Sequence, residues 1–196
     1  MARESNFKNM FLCLLIICFG GSALLGGVYL ITYEPIEAAQ VAKVNQALGG
    51  VLPQFDNLPA QEAYEVEVGG RKATVYPGTK NGELTGVAVE ATTTKGFGGQ
   101  IKVMVGFLPD GTINNTAIIS HTETPGLGDK INPKKSKFPL QFNQKNPESF
   151  RLAVKKDGGD VDAITAATIS SRAFGDVVDL AFQVFRKSIQ QEGGDQ

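Results

Sequence analysis

The stretch of this 196-residue chain best suited to chemistry is Asp162-Ala163-Ile164-Thr165-Ala166-Ala167-Thr168, followed by Ile169-Ser170-Ser171-Arg172-Ala173-Phe174. Small and hydroxyl-bearing residues dominate it, and an apolar helical spacing begins at its end. The pattern predicts a backbone turn that delivers the Thr168 hydroxyl to a helix N-terminus. The first amides of a helix lack internal partners and carry the positive end of its dipole, so a phosphate group is well placed there. The same residue types also make ordinary helix caps, and Ala166 and Ala167 also allow close packing. Spacing alone therefore leaves capping and phosphate binding both open.

Other segments carry weaker signals. In Lys95-Gly96-Phe97-Gly98-Gly99-Gln100, Gly98 and Gly99 would let backbone approach a ligand and Phe97 offers an aromatic face, although a bulge or loose hairpin uses the same glycines. The block from Ser120 to Ile131 leaves a strand through Thr124-Pro125-Gly126, where proline fixes one φ and glycine permits the next turn. His121, the sole histidine, fits a structural hydrogen-bonding role at a strand end, and no proton transfer is assigned to it. Asp129 and Lys130 read equally as a surface pair or as ligand contacts. Cys13 and Cys18 fall in the apolar N-terminal run, about 140° apart on a helix, so they form no joint metal site. With no later cysteine, the rest of the chain holds neither a disulfide nor a Cys-ligated iron–sulfur cluster. The net charge of -1 and the lack of a long basic run argue against a nucleic-acid partner, and Lys134, Lys135 and Lys137 read as a solvated loop.

Three blocks in the same order resemble the FMN-binding domain family of the Rnf and Na+-translocating NADH:quinone reductase complexes. They are Gly96-Phe97-Gly98-Gly99 with the strand after it, Ser120 to Ile131, and the Asp162–Thr168 motif. The family motif reads Asp-x-x-Ser/Thr-Gly-Ala-Thr; Thr165 matches its Ser/Thr position, and Ala166 stands where the family has glycine. A Cβ in a left-handed conformation costs about 1–2 kcal/mol, so either Ala166 has negative φ, which is the expectation, or the loop differs locally. The resemblance implies FMN held by a phosphoester on Thr168, attached by a separate flavin transferase, with Ala166 and Ala167 keeping the motif accessible. It brings Gly98, Gly99, His121, Glu123, Thr124 and Gly126 near the cofactor, with Leu127 covering the ring; Glu123 and Thr124 would bond the flavin or its phosphate surroundings, or stabilise the turn. It further implies an electron-carrying subunit, nearest to the Rnf G subunits, whose partner subunits (A to E) couple ferredoxin and NAD oxidation–reduction to Na+ or H+ movement. A quinone-reductase C subunit is the alternative, and a membrane-anchored binding or regulatory module is a second, from another class. Flavin chemistry resides in the ring, so no catalytic residue of the chain is expected.

The elements that must position these residues form an α+β arrangement: one N-terminal transmembrane helix, then an antiparallel sheet packed with helices. Met10 to Tyr33 carries no charge, and a helix over Phe11 to Tyr33 is about 35 Å long, enough to cross the lipid of a cytoplasmic (inner) membrane. A cleaved signal peptide has a shorter apolar run, so a retained anchor is expected. Arg3 and Lys8 precede the span and Glu34 and Glu37 follow it, which predicts a cytoplasmic N-terminus and an extracytoplasmic (periplasmic) domain. Ile36, Val41, Val44 and Leu48 predict a linking helix ended by Gly49-Gly50 and Pro53. Strands are predicted at Glu65–Val68, Lys72–Tyr76, Leu84–Thr94, Ile101–Leu108 and Thr112–Ser120, with turns at Gly69-Gly70, Asn81-Gly82 and Pro109-Asp110-Gly111. The polar loop with interspersed Phe138, Leu140 and Phe142 should pack its aromatics on the sheet, and Phe150–Val154 should add a strand. Ile169, Ala173, Val177, Leu180, Ala181, Val184 and Phe185 predict a helix lying across the sheet. The expected organisation is an anchor over 1–34, a helical linker over 35–62, an FMN-binding domain over 63–190 and a frayed tail over 191–196.

Overall fold

The computed structural model describes residues 6–192. The chain divides into two compact units, 1–42 and 43–196. Helix α1 (Phe7–Val51) is continuous through Pro35, so the anchor and the linking helix are one element and the Gly-Gly pair does not end it. Its apolar N-terminal part is long enough to cross a membrane, and none of its most apolar window is buried against protein. Cys13 and Cys18 are both exposed on it. The expected fraying of 191–196 lies largely outside the described residues, and the C-terminal helix runs to Glu192.

The second unit is built on a five-stranded antiparallel meander, β1 (Tyr64–Val68), β2 (Arg71–Lys80), β3 (Glu83–Thr93), β4 (Ile101–Phe107) and β5 (Ile113–His121), in spatial order β1-β2-β3-β4-β5. Gly69 and Gly70 (φ 58° and 75°) and Asn81 and Gly82 (φ 53° and 83°) make the two tight turns, whose positive φ values match the twist of the strands they join. β2 runs four residues beyond its predicted end. It contains Pro77, but β1 pairs only as far as Val75, so the missing N–H breaks no ladder.

The sheet is buried on both faces, which is why β3 and β4 lack a plain hydrophobic alternation. Val87, Val89, Val103, Val105 and Phe107 meet helix α2 (Thr168–Glu192). Tyr76, Ala88 and Met104 meet Ala47, Leu48 and Val51 in the last turns of α1. A Cβ on Gly106 would overlap the Val51 carbonyl, so glycine admits the helix end there. The side-chain amides of Asn114 and Asn115 donate to the carbonyls of Val51 and Gly50 (2.7 and 2.9 Å), which otherwise have no helical partner.

On α2 every predicted core position is buried except Ile169, which is 48% exposed; Phe174, Val178 and Phe182 widen the buried face. Asp176 fastens the helix to the sheet by accepting from Arg71 (3.0 Å), Thr93 (3.0 Å) and Lys95 (2.5 Å). Burial pushes its carboxyl up, but the bonds from Lys95 and Thr93 and the Arg71 charge together hold it below the usual carboxylate range. Phe138 and Phe142 leave a 3-10 turn to pack on Phe174, at centroid distances of 5.5 and 5.0 Å, so they anchor on the helix as well as on the sheet core. Leu140 stays exposed. Phe150–Val154 is not a strand. Val154 makes one isolated parallel bridge to Val161, because the Asp160 carboxylate takes the Arg151 amide and closes the segment into a loop.

Candidate functional site

The turn before α2 is closed by the Ala167 amide donating to the Ile164 carbonyl (3.0 Å). Ala166, its third residue, has φ 63°, which corrects the expectation of negative φ. A turn with positive φ at that position favours glycine, and here tertiary packing imposes the same geometry on alanine. Ser171 supplies part of that packing: its hydroxyl accepts from the Ile164 amide (2.9 Å) and donates to the Ala167 carbonyl (3.0 Å), pinning turn and helix start together. The Ala167 carbonyl also takes the first helical amide bond, from Ser171. The amides of Thr168, Ile169 and Ser170 find no acceptor among the described residues. Thr168, half-buried, is the first residue of the helix.

Beside it lies a cleft of about 350 Å³, lined by Phe97, Glu123, Thr124, Leu127, Gly128 and the run from Ala166 to Ser170. Three segments distant in sequence converge there. The β3–β4 loop closes on itself through paired Gly96 and Gly99 bonds (3.1 and 3.3 Å) and is tied to the β5 end by the Thr122 hydroxyl, which donates to the Gly98 carbonyl (2.8 Å). The segment after β5 contributes Glu123, 4% exposed, whose carboxylate accepts from the Gly98 amide (3.0 Å) and from the Ser170 hydroxyl. Phe97, Leu127 and Ile169 are 70%, 45% and 48% exposed, so the rim of the cleft is apolar and open.

The structure thus brings Ala166, Ala167, Thr168, Glu123, Thr124 and Leu127 together. Thr165 sits exposed on the turn, and Gly98, Gly99 and Gly126 shape the two loops without lining the cleft. His121 faces a different groove, of about 610 Å³ beside Lys43 and Lys134, and its Nδ1 accepts the Glu123 amide (3.2 Å). Asp162 points away, its backbone clamped by Gln141 (2.9 and 3.1 Å) and its carboxylate paired with Lys155 (2.7 Å). Asp129 is not a surface partner of Lys130. It is 2% exposed and binds Lys135 (2.5 Å), whose own side chain stays 53% exposed on the solvated loop. The Lys135 bond, with help from the Gly126 amide, holds the Asp129 carboxyl below its ordinary value. Sequence reasoning does not single out Ser170 or Gly128, and it reads Ile169 only as a core position of the helix. The Ser170 position two residues past the predicted hydroxyl was the available signal.

A larger hollow of about 720 Å³ runs along the same end of α2, and two of its three lining cations are already paired with carboxylates, while Arg151 reaches only the Gly158 carbonyl (3.4 Å). Arg172 grips Asp157 through two bonds (2.7 and 2.8 Å), holding that carboxyl below its usual range, and Lys95 holds Asp176. Among the described residues no group of His, Cys, Asp and Glu is placed to hold a metal ion.

The family model of the FMN-binding domain matches residues 96–183, which span all three segments of the cleft. The chain is also similar over most of its length to proteins named as the G subunit of an ion-translocating oxidoreductase complex. The protein of Shewanella piezotolerans is 31% identical over 201 residues, covering 96% of this chain and 93% of its own. That of Vibrio atlanticus is 35% identical over 194 residues, covering 93% and 92%. That of Pasteurella multocida is 39% identical over 168 residues, covering 81% of each chain.

Proposed function

Since the chain belongs to the family of G subunits of ion-translocating oxidoreductase complexes, we propose that its FMN is carried on Thr168 through a phosphoester. The chain is a membrane-anchored, FMN-binding electron-transfer component of such a complex. The observation that carries the finer reading is Thr168 lining a cleft at the head of a 25-residue helix whose first three amides find no acceptor among the described residues.

The residues fit the cofactor. FMN would supply reversible electron transfer through its ring. The amides of Thr168, Ile169 and Ser170 and the helix dipole would hold the phosphate. Phe97, Leu127 and Ile169 give the ring apolar surfaces at the rim, and their exposure leaves it open to an electron-exchanging partner subunit. The cleft volume falls within the range of about 300–1,000 Å³ usual for small-ligand sites. Nothing in this arrangement requires the chain to move a proton or to bind a soluble substrate.

In the same reading, attachment needs a flavin transferase, and the remaining subunits connect the flavin to ferredoxin and NAD on one side and to Na+ or H+ movement on the other. The charges flanking the span, Arg3 and Lys8 before it and Glu34 and Glu37 after it, favour a domain outside the cytoplasm. Protease added to intact cells with a permeabilised outer layer should then remove the domain; complete protection would reverse the orientation.

The attachment is read by intact-protein mass and peptide mapping after maturation with a transferase. Thr168→Val, nearly isosteric but without the hydroxyl, should fold and carry no covalent flavin. Denatured Thr168→Val protein that stays yellow and fluorescent would refute the site. Unmodified wild-type protein from the working complex would favour an organising module over a carrier.

A further inference from the structure

Among the described residues, the cleft beside Thr168 is lined by one acid, Glu123, and by no Lys, Arg or His. Sites for phosphate ordinarily recruit cations. Three cations flank the cleft segments in sequence: Lys95 is committed to Asp176 (2.5 Å) and Arg172 to Asp157 (2.7 Å), while Lys130 does not line the cleft. Among the described residues, what favours an anion there is the dipole of α2 and its three amides without an acceptor. Against them stands a carboxylate, 4% exposed, held by the Gly98 amide and the Ser170 hydroxyl. The surroundings are shaped to keep it, because a Cβ on Gly96 or on Gly128 would overlap its oxygens.

We infer that Glu123 is a specificity-determining residue that sorts flavins by phosphate charge, admitting a singly charged phosphodiester and turning away a doubly charged phosphomonoester. This rests on the Thr168 attachment proposed above. Free FMN is a monoester with a charge of about -1.5 to -2 near neutral pH. Esterified to Thr168, the same phosphate keeps a single negative charge. A carboxylate buried in the wall of the cleft responds to that difference, since solvent and salt screen it weakly there. The covalent bond therefore does more than prevent loss of cofactor. It converts the flavin to the charge form that the cleft accepts, and unattached FMN does not compete for the place.

The test uses the full chain in detergent, produced without a flavin transferase. Dissociation constants are measured by flavin fluorescence at about 0.1 M salt for neutral riboflavin, riboflavin 4′,5′-cyclic phosphate (a singly charged diester) and FMN. The unsubstituted chain should bind the cyclic diester more tightly than FMN. Glu123→Gln keeps an acceptor for Gly98 and gives Ser170 a donor. It should tighten FMN relative to riboflavin on the order of ten-fold. FMN binding at least as tight as the diester, an FMN-to-riboflavin ratio unmoved by Glu123→Gln, or no flavin binding to either protein would each overturn the inference. Should Glu123→Gln fail to fold, the three-flavin comparison on the unsubstituted chain decides alone. Attachment is scored separately, by the mass of matured protein, so a Thr168 found unmodified would refute the phosphoester without altering the reading of these constants.

Discussion

Replacing Ala166 by glycine isolates the strain in the turn that presents Thr168. Alanine at φ 63° pays about 1–2 kcal/mol relative to a residue without a Cβ. Glycine returns roughly 0.4–1 kcal/mol of that to the unfolded chain as extra freedom. The net stabilisation is roughly 0.5–1 kcal/mol, and Ala166 is exposed, so no packed methyl group is lost in the exchange. For a unit spanning residues 43–196 this raises the melting temperature by about 1–4 °C. Differential scanning calorimetry of the full chain in detergent measures it, and intact mass after maturation shows whether attachment survives. A lower melting temperature for Ala166→Gly would refute the left-handed geometry. Loss of flavin attachment in a stably folded Ala166→Gly protein would refute the view that the alanine is a tolerated substitute for glycine.

Gly128→Ala should lower stability by about 1–3 kcal/mol, because its Cβ would overlap the Glu123 carboxylate and the Ser170 hydroxyl; an unchanged thermal melt would argue against the packing of that corner. Tyr76 provides an alkaline marker: burial, reinforced by the Glu90 charge and hydrogen bond, pushes its phenol up to about 12. The unfolded phenol ionises near 10, so its contribution to stability is fully present below that pH and is lost as pH rises through the folded value. Phenolate absorbance should show a late-titrating component that is lost in Tyr76→Phe; a Tyr76→Phe curve matching wild type would contradict the burial.

The sheet was legible in the sequence because its signals are local. Gly69-Gly70 and Asn81-Gly82 fixed two hairpins, and the Val- and Thr-rich runs on either side fell within a few residues of the observed strands. Helix α2 was legible from its spacing, apart from Ile169, which faces the cleft rim rather than the core. What escaped depends on contacts distant in the chain. Glu123 and Ser170 stand 47 positions apart, and no local pattern announces that one will bond the other. Asp129 looked like half of a surface pair because Lys130 adjoins it, whereas the fold hands it to Lys135. The φ of Ala166 is held in part by the Ser171 bridge across the turn, a constraint that residue preference does not contain. Phe150–Val154 had the composition of a strand but no free edge partner; the Asp160 side chain claimed its backbone first.

The meander has a bearing on how the molecule is made. Each strand pairs only with its immediate neighbours in sequence, so the sheet can zip up in the order in which it emerges from the ribosome or translocation machinery. The hollow beside Thr168 cannot follow that schedule, for it needs residue 97, residues 123–128 and the run ending at residue 170 at once. Its birth coincides with the docking of the final helix, so an elongating chain halted before that point would possess a sheet and no niche.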